Sequence, residues 1–214
     1  MSHPTPHPLG TSAQVQVLEG LRLRDGTPVM ARALIPDDRA ALAAAYRMLS
    51  RESRYNRFWT HNGDVIGERM LDRVLKQDPE THITWAVLDP TREFPAMGAA
   101  SWWRDGPEST EAEFSAVVLD GDQRRGLGTL LLGILWQLAR QAGIRQLIGY
   151  SLAENRHAAD WMRDTGAEGQ WDGYKLVFRW RLDAPQPANE TRAARELAER
   201  LDEFEFLHPK VTSV

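Results

Sequence analysis

Gln123-Arg124-Arg125-Gly126-Leu127-Gly128 lies between an apolar run, Phe114 to Leu119, and a leucine-rich segment, Thr129 to Ala142. That order reads as strand, tight glycine loop and helix. Gly126 and Gly128 carry no Cβ, so the backbone can come close to a ligand. Loop amides and the first helical turn leave N–H groups without intrahelical partners, at an end that carries partial positive charge. Phosphate or pyrophosphate suits such a place, and Arg124 and Arg125 add two forked, charged donors. The glycines alone also fit a helix-opening turn that binds nothing. Two familiar nucleotide loops are excluded. No Gly-Lys-Ser/Thr follows, and the third glycine of a dinucleotide fingerprint would fall at Leu131.

Around this loop stand 214 residues, 42% hydrophobic and 26% charged, with a net charge of −4. This is enough chain for one domain with a full core and appendages. The interspersed charges argue against nucleic acid as the main partner and against a membrane-binding basic patch. With no cysteine, thiolate nucleophiles, disulfides and Cys metal sites are out. No apolar run approaches a membrane span. Residues 1–10, MSHPTPHPLG, lack a secretion signal, so a cytoplasmic protein is expected. Residues 1–14 read as a disordered tail, to which His3 and His7 belong, and no metal site is expected.

Working outward, Val15 to Leu23 and Thr27 to Ile35 read as strands joined at the Asp25-Gly26 turn. Pro36-Asp37-Asp38 opens a helix whose apolar face is Leu42, Ala45, Met48 and Leu49. Asp64 is the expected cap of a helix to Lys76. Ile83 to Leu88 and Met97 to Trp103 form a hairpin, and Ala112 to Leu119 is the central strand. Leu131, Leu135, Leu138 and Ala142 make the helix after the loop amphipathic, with Gly143 closing it. Gln146 to Leu152 is a strand, Asn155 to Asp164 a short helix, Trp171-Asp172-Gly173 a turn, and Tyr174 to Leu182 a half-buried strand. Pro185 and Pro187 break the chain, and Asn189 caps a last helix with Ala194, Leu197, Leu201 and Phe204 on one side. That stripe suits packing on its own domain or on a second copy, which makes a homodimer one candidate assembly. The organisation expected is a tail over 1–14, a domain over 15–183 and a helical extension over 184–214.

Gln123-x-x-Gly126-x-Gly128 after a strand resembles the acyl-CoA loop of the GNAT superfamily of N-acetyltransferases. The longer phrases AEFSAVVLDGDQRRGLGTLLL, DGTPVMARALIPDD and LSRESRYNRF resemble its bacterial protein-lysine acetyltransferase branch, over about Leu21 to Leu182. The resemblance implies an α/β fold with a mixed, mostly antiparallel sheet flanked by helices, to which the C-terminal helix is extra. It implies acetyl-CoA as co-substrate, its pyrophosphate on the amides of Gln123, Arg124, Arg125, Gly126, Leu127 and Gly128. It implies pantetheine contacts from Val118 and Leu119 where two strands splay at a bulge, with the Val118 amide polarising the thioester carbonyl. Thr129 would add a hydroxyl to the pyrophosphate, and Asn155 is a cofactor contact or simply a helix cap. The acceptor would be a primary amine, a small molecule or a protein lysine.

Acyl transfer from a thioester requires that the amine lose a proton beside a polarised carbonyl. Glu113 is the expected general base. It lies ten residues before Gln123 among apolar neighbours, where burial would raise its pKa, and the branch's base stands in the matching Ala-Glu-x-Ala phrase. Facing solvent at a strand end is its bland alternative, and Glu111 is the fallback. Arg54, Tyr55, Arg57 and Phe58 fall where the family contacts its acceptor, although packing aromatics and solvated arginines explain them as well. One departure stands out. The usual tyrosine acid is replaced by Met162, beside Trp161, leaving Tyr150, His157, water or no acid at all. A non-catalytic acyl-CoA-binding protein is therefore the alternative.

Overall fold

The computed structural model describes residues 14–59, 63–183, 191–205 and 210–213. Of the predicted tail over 1–14 only Gln14 is among them, and it opens the first strand; the Pro185–Pro187 break and the Asn189 cap lie outside them. In chain order the elements are β1 (Gln14–Arg22), β2 (Pro28–Ala33), α1 (Arg39–Met48), α2 (Arg51–Phe58), α3 (Glu68–Leu75), β3 (His82–Leu88), β4 (Ala96–Trp103) and β5 (Glu111–Val118). They continue with α4 (Leu127–Gln141), β6 (Gln146–Ser151), α5 (Arg156–Asp164), β7 (Glu168–Trp171), β8 (Leu176–Arg181), α6 (Arg192–Phe204) and β9 (Lys210–Ser213). Among the described residues no helix is long and apolar enough to cross a membrane.

The strands form one sheet in the order β7-β8-β6-β5-β4-β3-β2-β1-β9. Every ladder is antiparallel except β5–β6, whose parallel pairing needs a crossover that α4 supplies. This is the mixed, mostly antiparallel α/β sheet expected. One face packs on α4 and α5, through Leu130, Leu131, Trp136 and Met162 against Trp85, Trp102, Phe178 and Trp180. The other face packs on α1, α2 and α3, through Leu42, Tyr46, Leu71 and Val74.

Several local expectations change. α4 is not one-sided: its residues from Leu130 to Trp136 are all buried. The reason is α6, whose Leu197, Leu201 and Phe204 cover the side turned away from the sheet. A Cβ on Gly133 would come within 3.2 Å of Arg200 Cβ, so the two helices pack closely there. The apolar stripe of α6 is thus covered within the chain. The stretch after residue 184 is not wholly helical, since β9 pairs with β1. Gly67, not Asp64, precedes α3, and Ser50 caps α2 by accepting from the Ser53 amide at 3.1 Å. Met48 is 54% exposed, outside the apolar face assigned to it. Trp171 ends a strand, β7, rather than forming a turn, and Tyr174 lies before β8 and is exposed.

Candidate active-site cleft

β5 and β6 pair from Glu111↔Gln146 to Phe114↔Gly149 and then separate. Each keeps its outer neighbour beyond that point. β5 follows β4 to Gly98↔Val118, and β6 follows β8 to Ser151↔Leu176. The result is a wedge between two strands. Both β5 ladders run without a register shift, so the splay forms without the bulge expected. The Leu119 amide donates to Met97 O at 2.9 Å. Hydrogen-bonding direction alternates along an antiparallel strand, so the N–H and C=O of Val118 and Ala116 point into the wedge. Val118 is thus where the sequence put it, whereas Leu119 is corrected. Its amide is engaged by β4 and its side chain packs under α1 and α3.

At the end of the wedge the glycine loop opens α4. Gly126 is its cap, with φ +91°, a conformation that suits glycine, and Arg124 also lies in the left-handed region at φ +63°. Among the described residues no acceptor meets the amides of Arg124, Arg125, Gly126, Leu127 or Gly128. This is the donor array expected at a helix start. Gln123 Nε2 reaches Val118 O at 3.4 Å, which ties the loop to the strand.

The two arginines part company. Arg124 lines the cleft. Arg125 is held by Asp25 and Asp122, each at 2.7 Å, and by the Thr27 hydroxyl, so its side chain is corrected from ligand to clamp. Arg92 closes the same network on Asp122 at 2.9 Å and on Asp89 at 3.0 Å. On the outer side the α6 carboxylate of Glu196, paired with Arg24, comes near the loop. A Cβ on Gly126 would fall 2.5 Å from Glu196 Oε1. Gly126, Leu127 and Gly128 still line the cleft, so the bend is not sealed.

The cleft occupies about 1010 Å³ and runs from this loop along the wedge to the α2 face of the sheet. Glu113 lines it, and its side chain is exposed. The burial expected for it is absent, and the argument from desolvation falls with it. Phe114, its neighbour in sequence, turns to the opposite face beneath Trp161 and Trp180, as strand alternation requires. Glu111 is exposed and does not line the cleft. Asp120 anchors α2 by accepting from the Ser50 amide and from the hydroxyls of Ser50 and Ser53 at 2.8–2.9 Å. Desolvation pushes its carboxyl up, but those donors outweigh it and hold it below the usual range. Arg54 donates to Leu49 O at 2.7 Å and Phe58 packs on Tyr46, so both have structural roles.

On the α5 side, Met162 is buried in the core and offers no proton. The Trp161 indole donates to the Thr129 hydroxyl at 3.2 Å; Thr129 is buried and lines the cleft, and that bond uses its oxygen as acceptor only. The Asn155 side chain accepts from the Ala158 amide at 3.2 Å, so it is a helix cap, though it also lines the cleft. Tyr150 and His157 line the cleft as well. The sequence gives no sign of Lys175, whose ammonium lies 4.1 Å from the Tyr150 ring centroid, or of Arg24 and Arg192 at the glycine-loop end. None belongs to a motif; only the fold brings them here.

No family model matches the chain. Over 152 residues it is 25% identical to Acetyltransferase Pat of Mycolicibacterium smegmatis, covering 67% of this chain and 45% of that protein. The chain thus spans less than half the length of that relative. Among solved structures it is similar to the GNAT domain of S. lividans PAT, with a TM-score of 0.70 and 22% identity over 84% of this chain and 99% of that one. It is also similar to yncA, a putative acetyltransferase from Salmonella typhimurium solved with acetyl-CoA, with a TM-score of 0.58 and 18% identity over 76% and 98% of the two chains. The fold is that of the GNAT acetyltransferases.

Proposed function

We propose that this chain moves an acetyl group from acetyl-CoA to a primary amine by direct attack. The observation that carries the reading is the conjunction of a strand wedge, free amides at a helix start and a carboxylate on the adjoining strand. The amides from Arg124 to Gly128 hold the pyrophosphate, with Arg124 adding charge. The inward-turned groups of Ala116 and Val118 pair with the pantetheine arm as a neighbouring strand would. Val118 N–H then polarises the thioester carbonyl. Glu113 takes the proton from the amine, directly or through water, because it faces the open cleft. The amine nitrogen bonds to the carbonyl carbon, the carbon–sulfur bond breaks, and the thiolate is protonated by water or by Tyr150.

We take residues 15–183 as the acetyltransferase unit and 184–214 as an extension built onto it. We place the protein in the cytoplasm, where acetyl-CoA is made and used. Acceptors are small-molecule amines or protein lysines. A second reading, an acyl-CoA-binding protein without catalysis, is favoured by the buried Met162 and the engaged Trp161. Calorimetry with acetyl-CoA, followed by thiol release across an amine panel, tests both. Transfer predicts binding and release. Binding without release supports the second reading, and no binding defeats both.

A further inference from the structure

We propose that Arg57 and Lys175 form a seat for an anionic group on the acceptor, so that the favoured substrate is an amine with a carboxylate close by. The proposal rests on the transfer reading above and names the class of acceptor. Two sources share this chemistry: a free amino acid, and a peptide lysine beside an acidic residue.

Arg57 lies near the end of α2 and lines the cleft with Glu113. It is half-buried by area, yet the cleft walls enclose it. Desolvation pushes its pKa down to about 10, against the opposing pull of Glu113 and with a push the same way from Arg73. Among the described residues no carboxylate comes within 4.0 Å of it, and only the Phe58 ring, 5.0 Å away, faces its guanidinium. Several other arginines are closed by acids, Arg32 by Asp38, Arg92 by Asp122 and Asp89, and Arg125 by Asp122 and Asp25, while half-buried Arg54 and Arg104 are met by backbone carbonyls; Arg57 has neither kind of partner among the described residues. A desolvated cation without such a partner gains most from an anion that arrives with the substrate.

Lys175 faces it from the other bank of the wedge. Glu113 is in register with Ile148, and Tyr150 stands two residues further along β6 on the same face. The Lys175 ammonium rides over Tyr150, with Trp59 and Tyr174 at 5.8 and 5.2 Å. Desolvation lowers its pKa, but the Tyr174 hydroxyl and Asp172, paired with it at 3.7 Å, outweigh that and raise it, so Lys175 is the lesser of the two cations. Other charges along the cleft lie elsewhere: Arg24, Arg124 and Arg192 toward the nucleotide loop, and Asp160, Asp164 and His157 on the α5 side. Asp120 is tied to serines and Glu52 is exposed on α2. The acceptor end thus presents one carboxylate for an ammonium and two cations for an anion, which is the complement of a zwitterion.

The test is initial-rate thiol release at saturating acetyl-CoA with matched acceptors: amino acids against their carboxamides, and lysine peptides flanked by Asp against the same peptides flanked by Asn. The wild-type chain should favour the anionic member of at least one pair by about tenfold in kcat/KM, mainly through KM. The pair that discriminates identifies the source. Arg57→Gln should cut the ratio at least fivefold or so, Arg57→Lys should restore part of it, and Lys175→Gln should cut it less. Equal kcat/KM within both wild-type pairs would overturn the proposal, as would an Arg57→Gln loss that is the same for charged and neutral acceptors. Either result leaves acetyl transfer standing. Absence of thiol release from every amine overturns the transfer reading and this proposal with it. Lys175→Gln lies outside the core, so it keeps the test decisive if the Arg57 variants fold poorly.

Discussion

The two ends of the cleft solve their binding problems with different atoms. Under the proposed function, main-chain N–H groups hold the ligand at the glycine-loop end, while the side chain of Arg125 is bound to Asp25 and Asp122. At the other end the proposed work falls to side chains, where Glu113 acts on Arg57 without coming within 4.0 Å of it. A backbone site depends on local geometry: two glycines and a helix start. A side-chain site depends on which groups distant parts of the chain bring alongside. If the proposal holds, the same residue type serves structure at one end and recognition at the other.

Glu113→Gln should break the acceptor end most. We expect kcat to fall by about a hundredfold with little change in acetyl-CoA affinity, read by steady-state rates and calorimetry. An unchanged rate would remove Glu113 from the mechanism. At the nucleotide end the corresponding change is Gly126→Val. It places a branched side chain at φ +91° and against Glu196, and should weaken acetyl-CoA binding by about tenfold or more through loop distortion alone. Calorimetry checks this, and unchanged affinity would mean that the loop is not the pyrophosphate site.

Arg125→Ala sharpens the contrast. It leaves the buried Asp122 with Arg92 alone, and should cost about 2 kcal/mol in urea denaturation. Acetyl-CoA affinity should drop less than in Arg124→Ala. The reverse ranking would return Arg125 to the phosphate.

A control away from both ends is His82, buried in β3 and stacked on Trp103. Burial, only partly opposed by the Lys76 backbone, lowers its pKa to about 4. A depressed folded value means that the unfolded chain takes up the proton first. Stability from this group is then full above about pH 6.5 and lost as pH falls toward 4. Thermal melts should show that decline, and His82→Gln should flatten it. Acid loss of activity that persists in this variant would belong to the cleft instead.

What the sequence disclosed follows the same division. The glycine loop and the central strand were legible, because each rests on neighbours in the chain. Strand β7 was not, since all four of its residues are exposed and show no alternation. Strand β9, four residues long, gave no periodic signal either. The all-round burial of α4 needed α6, which comes more than fifty residues later in the chain. Glu113 looked buried among apolar neighbours in sequence, but alternation turns those neighbours to the other face. Leu119 and Arg125 were misread because their partners, Met97 and Asp25, are remote in sequence.

A crystal structure of the chain with acetyl-CoA tests the central claim most directly. The account predicts pyrophosphate oxygens on the amides between Arg124 and Gly128, the pantetheine arm along Ala116 and Val118 inside the wedge, and the acetyl carbon on the Glu113 side of the sheet. A cofactor seated elsewhere, or a wedge that stays empty at saturating acetyl-CoA, would contradict it.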